Sequence, residues 1–262
     1  MKYGACTWSW PVKVKDSFAF AKELGLDGIS ISIEVEDGIC QLSEVALQEE
    51  YLELSKKYDV EIAALAVNAL CTYGMSKSSK YDIVKSILEQ SVAIAKNMGV
   101  KVLQLPSFMD GEIHNEEELV QTIQCLTYAV FLVEGTGIEI GYENVLTYEE
   151  NMRIYEIMKD KPYFIYFDTQ NPVRFANMKE PEVLAERLMP YIQQMHVKDS
   201  YEDVTIPLQL GEGTTRYHEV IQKFIDSGYD KWVILESEYA VYPNYKEIIE
   251  KDIVNLKKIF AR

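Results

Sequence analysis

Basic side chains are scarce in this sequence. Its 26 Lys and Arg stand against 42 Asp and Glu, a formal net charge of −16. Phosphate backbones and anionic bilayers are held by clustered Lys and Arg, so nucleic acid and membrane surfaces are excluded as partners. The four cysteines, Cys6, Cys40, Cys71 and Cys125, form no C-x-x-C pair and match no zinc spacing. Reduced thiols in a cytoplasmic protein are the simple reading. No run approaches the roughly 18 apolar residues of a membrane-spanning helix. The opening Met1–Trp8 carries one positive side chain and no long apolar stretch, so no signal peptide is read there. The turn Thr7-Trp8-Ser9-Trp10-Pro11 has none of the glycines of a G-x-G-x-x-G dinucleotide turn. A Gly-rich phosphate cradle with Lys or Ser/Thr is also missing.

What the chain does have is alternation. Short apolar, β-branched segments at 3–8, 28–33, 61–67, 100–105, 138–142, 163–167, 192–197 and 232–236 predict eight strands, each followed by an amphipathic stretch. Asp16 before Phe18, Ala21 and Leu24, with Gly25 after them, reads as an N-cap, an apolar stripe and a C-terminal glycine. Asn115 with Glu118, and Thr147 with Glu150, have the spacing of capping boxes. Helices are also expected over 80–98, ending at Gly99, and over 245–260. Eight βα units with short links in 262 residues predict one α/β domain over 1–262, a single (β/α)₈ TIM barrel, rather than an open doubly wound sheet.

Four of the predicted strands end in metal-capable side chains. These are Glu143 in Gly-Tyr-Glu-Asn-Val, Asp168 in Phe-Asp-Thr-Gln-Asn, His196 in Met-His-Val-Lys-Asp and Glu236 in Leu-Glu-Ser-Glu. Active sites of such barrels lie at the C-terminal ends of the strands. One imidazole and three carboxylates converging there make an oxygen-rich site for a divalent cation, manganese first, with magnesium, cobalt and zinc compatible. Such an ion can chelate a carbonyl oxygen and a neighbouring hydroxyl and stabilise the enediolate left when the α proton is removed. One carboxylate takes the proton and another returns one. Return from the far face inverts the carbon; return to the neighbouring carbon moves the carbonyl.

These segments, with Leu210-Gly211-Glu212-Gly213 after the seventh strand, resemble the xylose isomerase-like barrel superfamily and, within it, the sugar isomerases and ketose 3-epimerases. The resemblance implies that Glu143, Asp168, His196 and Glu236 all bind the metal. It implies that Glu143 and Glu236 also carry the protons, and that the substrate is a small sugar or keto-polyol. It extends to Glu149, kept six residues after the first ligand. Two positions depart from the pattern. Where these epimerases often have a histidine three residues after the aspartate, this chain has Asn171. Where they often have an arginine six residues after the ligand histidine, it has Glu202. Asn171 can still hydrogen-bond a substrate hydroxyl, though a neutral amide stabilises an oxyanion less than a cation does.

Lys198, two residues past His196, should point the same way and either anchors substrate or pairs with a carboxylate. Trp8 and Trp10 are an aromatic wall for a sugar face or plain core aromatics. Glu34 and Asn68, ending the second and third strands, are candidates for substrate hydroxyls, or solvated loop residues. His114 and His218 read as surface histidines. Arg216 is the one arginine placed for a phosphate. An inosose dehydratase-type lyase and a non-catalytic sugar-binding module remain as alternatives. A DNA-repair endonuclease of the same barrel is excluded, because its trinuclear zinc cluster needs many histidines and this chain has three. A homodimer or homotetramer is expected from the resemblance.

Overall fold

The computed structural model describes residues 1–201 and 208–261. Eight parallel strands close on one another in chain order. They are β1 (Lys2–Cys6), β2 (Gly28–Ser32), β3 (Glu61–Ala66), β4 (Val102–Pro106), β5 (Glu139–Glu143), β6 (Tyr163–Asp168), β7 (Ile192–Val197) and β8 (Trp232–Leu235). The ring closes through β1 and β8, with Lys2 opposite Trp232 and Ala5 opposite Leu235. This is a (β/α)₈ TIM barrel, and every strand lies within two residues of its predicted span. A two-stranded antiparallel hairpin, Val35–Glu36 with Ile39–Cys40, follows β2.

Alternation decides which side chains enter the barrel. Ile165 and Phe167 of β6, Met195 and Val197 of β7, Val233 and Leu235 of β8, and Ile140 and Tyr142 of β5 join the apolar layer under the helices. Their neighbours face inward: Phe164 and Tyr166 pack with Ala64 and Val102, and Ile234 packs with Cys6 and Ala63. The same parity carries Glu143, Asp168, His196, Lys198 and Glu236 inside. Gly141, two residues below Glu143, leaves room for aromatic rings: an added Cβ would meet Phe164 Cζ at 2.7 Å and Tyr166 Cδ2 at 3.1 Å.

The surrounding helices are α1 (Val14–Glu23), α2 (Val45–Tyr58), a short α3 (Leu70–Tyr73), α4 (Tyr81–Met98), α5 (Glu116–Val133), α6 (Tyr148–Met158), α7 (Asn171–Ala176), α8 (Pro181–Leu188), α9 (Tyr217–Asp226) and α10 (Tyr245–Phe260). Thr147 and Glu150 form the complete capping box of α6. Asn115 caps α5 through Glu118 N, but the Glu118 carboxylate accepts from His114 N at 2.8 Å instead of from the cap. Asp16 is not an N-cap: α1 starts at Val14 behind Lys13, whose carbonyl accepts from Asp16 N and Ser17 N. Asp16 lies in the first turn, where a carboxylate still meets the positive end of the helix dipole. Among the described residues no helix is long and apolar enough to cross a membrane.

Candidate metal centre and active site

At the C-terminal ends of the strands a cleft of about 370 Å³ opens onto Trp8, Asn171, Lys198 and Glu236. A further cavity of about 370 Å³ shares those four residues and reaches Asn68, Gln104 and Glu143. Strand parity brings Glu143, Asp168, His196 and Glu236 together at this end of the barrel, with one ligand atom of each within 4.8 Å of all the others. Two ligands on opposite sides of a hard divalent ion, at about 2.1–2.4 Å each, stand no more than about 4.8 Å apart. His196 Nδ1 lies 3.1 Å from Glu236 Oε2 and 3.4 Å from Glu143 Oε1. Asp168 Oδ1 accepts from the backbone of Gln170 and Asn171 at 2.7 and 2.6 Å. Its Oδ2 is buried and accepts no hydrogen bond, facing Lys198 Nζ at 3.2 Å. A buried carboxylate oxygen held by no hydrogen bond, beside two further carboxylates and an imidazole, belongs to a donor set that fits a divalent cation.

The flanking groups orient these side chains. Glu143 is gripped at both oxygens by amides: Asn171 Nδ2 donates to Oε1 at 2.9 Å and Gln104 Nε2 donates to Oε2. Both amides leave their own carbonyl oxygens buried without a partner. Trp8 Nε1 donates to Glu236 Oε1 at 3.0 Å, and Lys198 Nζ donates to Glu236 Oε2.

The charges are strongly coupled. Burial raises the Asp168 carboxyl, outweighing the pull of Lys198, and with Glu143 and Glu236 nearby it reaches about 6. Burial also opposes ionisation of Glu236, but His196 and Lys198 overcome it and hold that carboxyl well below the usual range. For His196, burial works against the cation and the negative groups around it, Glu236 first, push the imidazole well above its ordinary value. Lys198 is likewise raised, with Asp168 and Glu236 outweighing its burial. Lys198 and His196 thus act as the charge partners of Asp168 and Glu236.

Other sequence candidates lie in different settings. Asn68 and Trp8 line the cavity. Glu149 does not: it sits exposed in the first turn of α6 with Arg187 Nη2 at 3.1 Å. Its own backbone N–H and then Arg187 hold its carboxyl below the usual range, so it is spent on the helix end. Glu34 is exposed and accepts from Ser32 Oγ. Trp10 is core: its Nε1 donates to Ser17 Oγ at 2.9 Å and its ring meets Phe20 edge-on. His114 is exposed beside Glu112, and His218 Nε2 lies 3.2 Å from Gly211 O. Arg216 is taken up by Glu182. Glu202 lies outside the described residues. The Leu-Gly-Glu-Gly turn is tied to the end of β7 by Asp199, which accepts from Gly211 N at 3.1 Å and Gly213 N at 2.8 Å.

Gln104 and Cys6 went unread in the sequence. Gln104 is the one amide in the apolar run Val102–Leu105, which was its only signal. Cys6 shares the inward parity of Trp8, and its Sγ lies 3.4 Å from His196 Nε2. Burial pushes the Cys6 thiol up to about 12, so it stands as a thiol.

Known proteins share this architecture. A D-tagatose 3-epimerase-like protein superposes with a TM-score of 0.79 at 20% identity, over 100% of this chain and 97% of that one. A D-allulose 3-epimerase from Methylomonas sp., in complex with D-allulose, gives 0.75 at 15% identity, over 98% and 96%. At these identities the likeness is one of fold. In sequence, the 2-epi-5-epi-valiolone 7-phosphate 2-epimerase of Actinoplanes sp. is 32% identical over 155 residues, 59% of this chain; the chain covers 56% of that protein's length. Residues 18–259 match the family model described as xylose isomerase-like TIM barrel, and the chain belongs to that family.

Proposed function

We propose that this protein is a divalent-metal-dependent sugar epimerase or isomerase that moves a proton on the carbon next to a carbonyl. The observation that carries this reading is the convergence of Glu143, Asp168, His196 and Glu236, from four successive strands, at the C-terminal end of the barrel. The epimerase relatives named above support it. Those four residues would hold the cation, manganese in the first instance. When bound, a divalent ion supplies Lewis acidity toward a carbonyl and charge stabilisation beside it.

The chain's own residues supply the proton chemistry and the positioning. Glu143 and Glu236 approach the cleft floor from β5 and β8, and a carboxylate on each side of a substrate carbon suffices to remove and return a proton. Gln104 and Asn171 fix the Glu143 carboxylate; Trp8 and Lys198 fix that of Glu236. The unpartnered Asn171 Oδ1 is an acceptor for a substrate hydroxyl, and Asn68 lies where it can serve another. Lys198 supplies the cationic donor that Asn171 cannot. Glu149 and Glu34, both exposed, take no part in this reading. The substrate is a small sugar or keto-polyol.

The test is exchange of substrate hydrogen with solvent. Ketoses and keto-polyols, keto-inositols included, are incubated in D₂O with the manganese-loaded protein and followed by NMR. Deuterium is expected at the carbon beside the carbonyl, and loss of a β hydroxyl would identify a dehydratase instead. Glu236→Gln should slow exchange by about 10²–10⁴-fold. Unchanged exchange in that variant sinks the two-glutamate mechanism, and no exchange across both panels sinks the function.

A further inference from the structure

Two residues at the end of β1 reach the ligand candidates from behind. Trp8 holds Glu236 through its indole N–H. Cys6, completely buried, places Sγ 3.4 Å from His196 Nε2. The other ring nitrogen, Nδ1, faces Glu236 and Glu143. Tyr166 and Trp8 flank the imidazole, with ring centroids 4.5 and 6.4 Å away.

We propose that Cys6 is a positioning residue for the metal centre: its sulfur accepts the Nε2–H of His196 and so selects the neutral tautomer whose bare Nδ1 turns to the three carboxylates. The inference rests on the proposed function, because it takes Nδ1 to be the metal-binding atom. A neutral imidazole ligates through one nitrogen while the other keeps its proton, and the partner of that proton fixes the tautomer. In a fully buried setting that N–H requires an acceptor. Among the described residues the sulfur of Cys6 is the contact made by Nε2. Metal-bound histidines usually rest on a carboxylate, a carbonyl or water. A carboxylate at this position would add a fourth acid to a buried cluster that already holds three. Sulfur is a weak acceptor that orients the ring without adding charge. Cys6 also packs with Ala63 and Ile234, so its structural share of the site must be separated from its orienting one.

Calorimetric titration of Mn²⁺ into metal-stripped protein separates them. Cys6→Ala should bind Mn²⁺ about tenfold more weakly than the unaltered chain, and Cys6→Ser, whose hydroxyl accepts a hydrogen bond, should recover most of the loss. Imidazole ¹⁵N spectra of the Mg²⁺-loaded unaltered protein should find His196 protonated at Nε2 and bare at Nδ1. Equal Mn²⁺ affinity in Cys6→Ala and the unaltered protein overturns the inference and leaves the proposed function standing. A proton on Nδ1 in the Mg²⁺-loaded protein overturns it as well, whatever the stability of the alanine variant. Failure of the unaltered protein to bind Mn²⁺ removes the proposed function and this inference together.

Discussion

Lys198 and Asp252 are both buried charges that deal with burial in opposite ways. Lys198 stays ionised because carboxylates surround it, and it keeps Asp168 and Glu236 from standing as uncompensated buried anions. Among the described residues Asp252 on α10 is paired with no cation. Its carboxylate accepts from Tyr239 OH at 2.9 Å and Leu210 N at 3.3 Å, linking the loops after β7 and β8, yet burial still pushes it up to about 7. An aspartate raised from about 3.9 in the unfolded chain binds its proton more tightly when folded. It therefore costs nothing below about pH 4 and progressively destabilises the fold as pH climbs to 7. At about 1.4 kcal/mol per unit, the cost at pH 8 is on the order of 2–4 kcal/mol. Asp252→Asn imitates the protonated form, so its stability relative to the unaltered chain should rise between pH 4.5 and pH 8 in urea melts. Parallel curves at both pH values would rule this out. Residues of this kind mark the limit of the sequence. Glu143, Asp168, His196 and Glu236 were legible because strand parity fixes where a strand-end side chain points. The directions of Glu34 and Glu149, past a strand or in a first helical turn, obey no such period. The partners of Cys6 and Gln104 lie 190 and 39 residues away.

At the scale of the element, the strand is the unit that carries chemistry here, and β5 illustrates how. Its inward positions are Gly141 and then Glu143, a void followed by a candidate ligand. The void is filled by Phe164 and Tyr166 of the neighbouring β6. Tyr166 in turn lies against His196. Gly141→Ala should therefore overpack the interior at a cost of about 1–3 kcal/mol. It should also weaken Mn²⁺ binding although no ligand has changed. Urea melts and calorimetry check both, and an alanine accepted with no loss of either would mean that the two rings shift freely. Strand positions could be read because each is a short apolar run closed by polar residues. Helix ends were read less well. The Thr147–Glu150 box is local and formed as written, whereas the start of α1 at Val14 was set by Lys13 carbonyl bonds that no side-chain signal marks.

Over the whole molecule two kinds of electrostatics compete, and they differ in range. A net charge of −16 spread over the surface disfavours the compact state through self-repulsion that any salt screens within about 10 Å at 0.1 M. The cluster at the barrel mouth is buried and is screened far less. Any cation should therefore stabilise this protein somewhat, and only a specific site should respond at low concentration against a background of NaCl. The argument fixes the control. In 150 mM NaCl, with surface repulsion already damped, Mn²⁺ at about 100 times its Kd should add about 2.7 kcal/mol. For a chain of this size that corresponds to a rise in Tm of about 5–10 °C, growing with the logarithm of Mn²⁺ concentration above Kd. Asp168→Asn removes one candidate ligand while keeping its shape, and it should abolish most of that rise while leaving the smaller response to NaCl in place. A Mn²⁺ response that Asp168→Asn shares in full would mean the ion is felt only by the acidic surface and that the four strand-end residues do not form a metal centre.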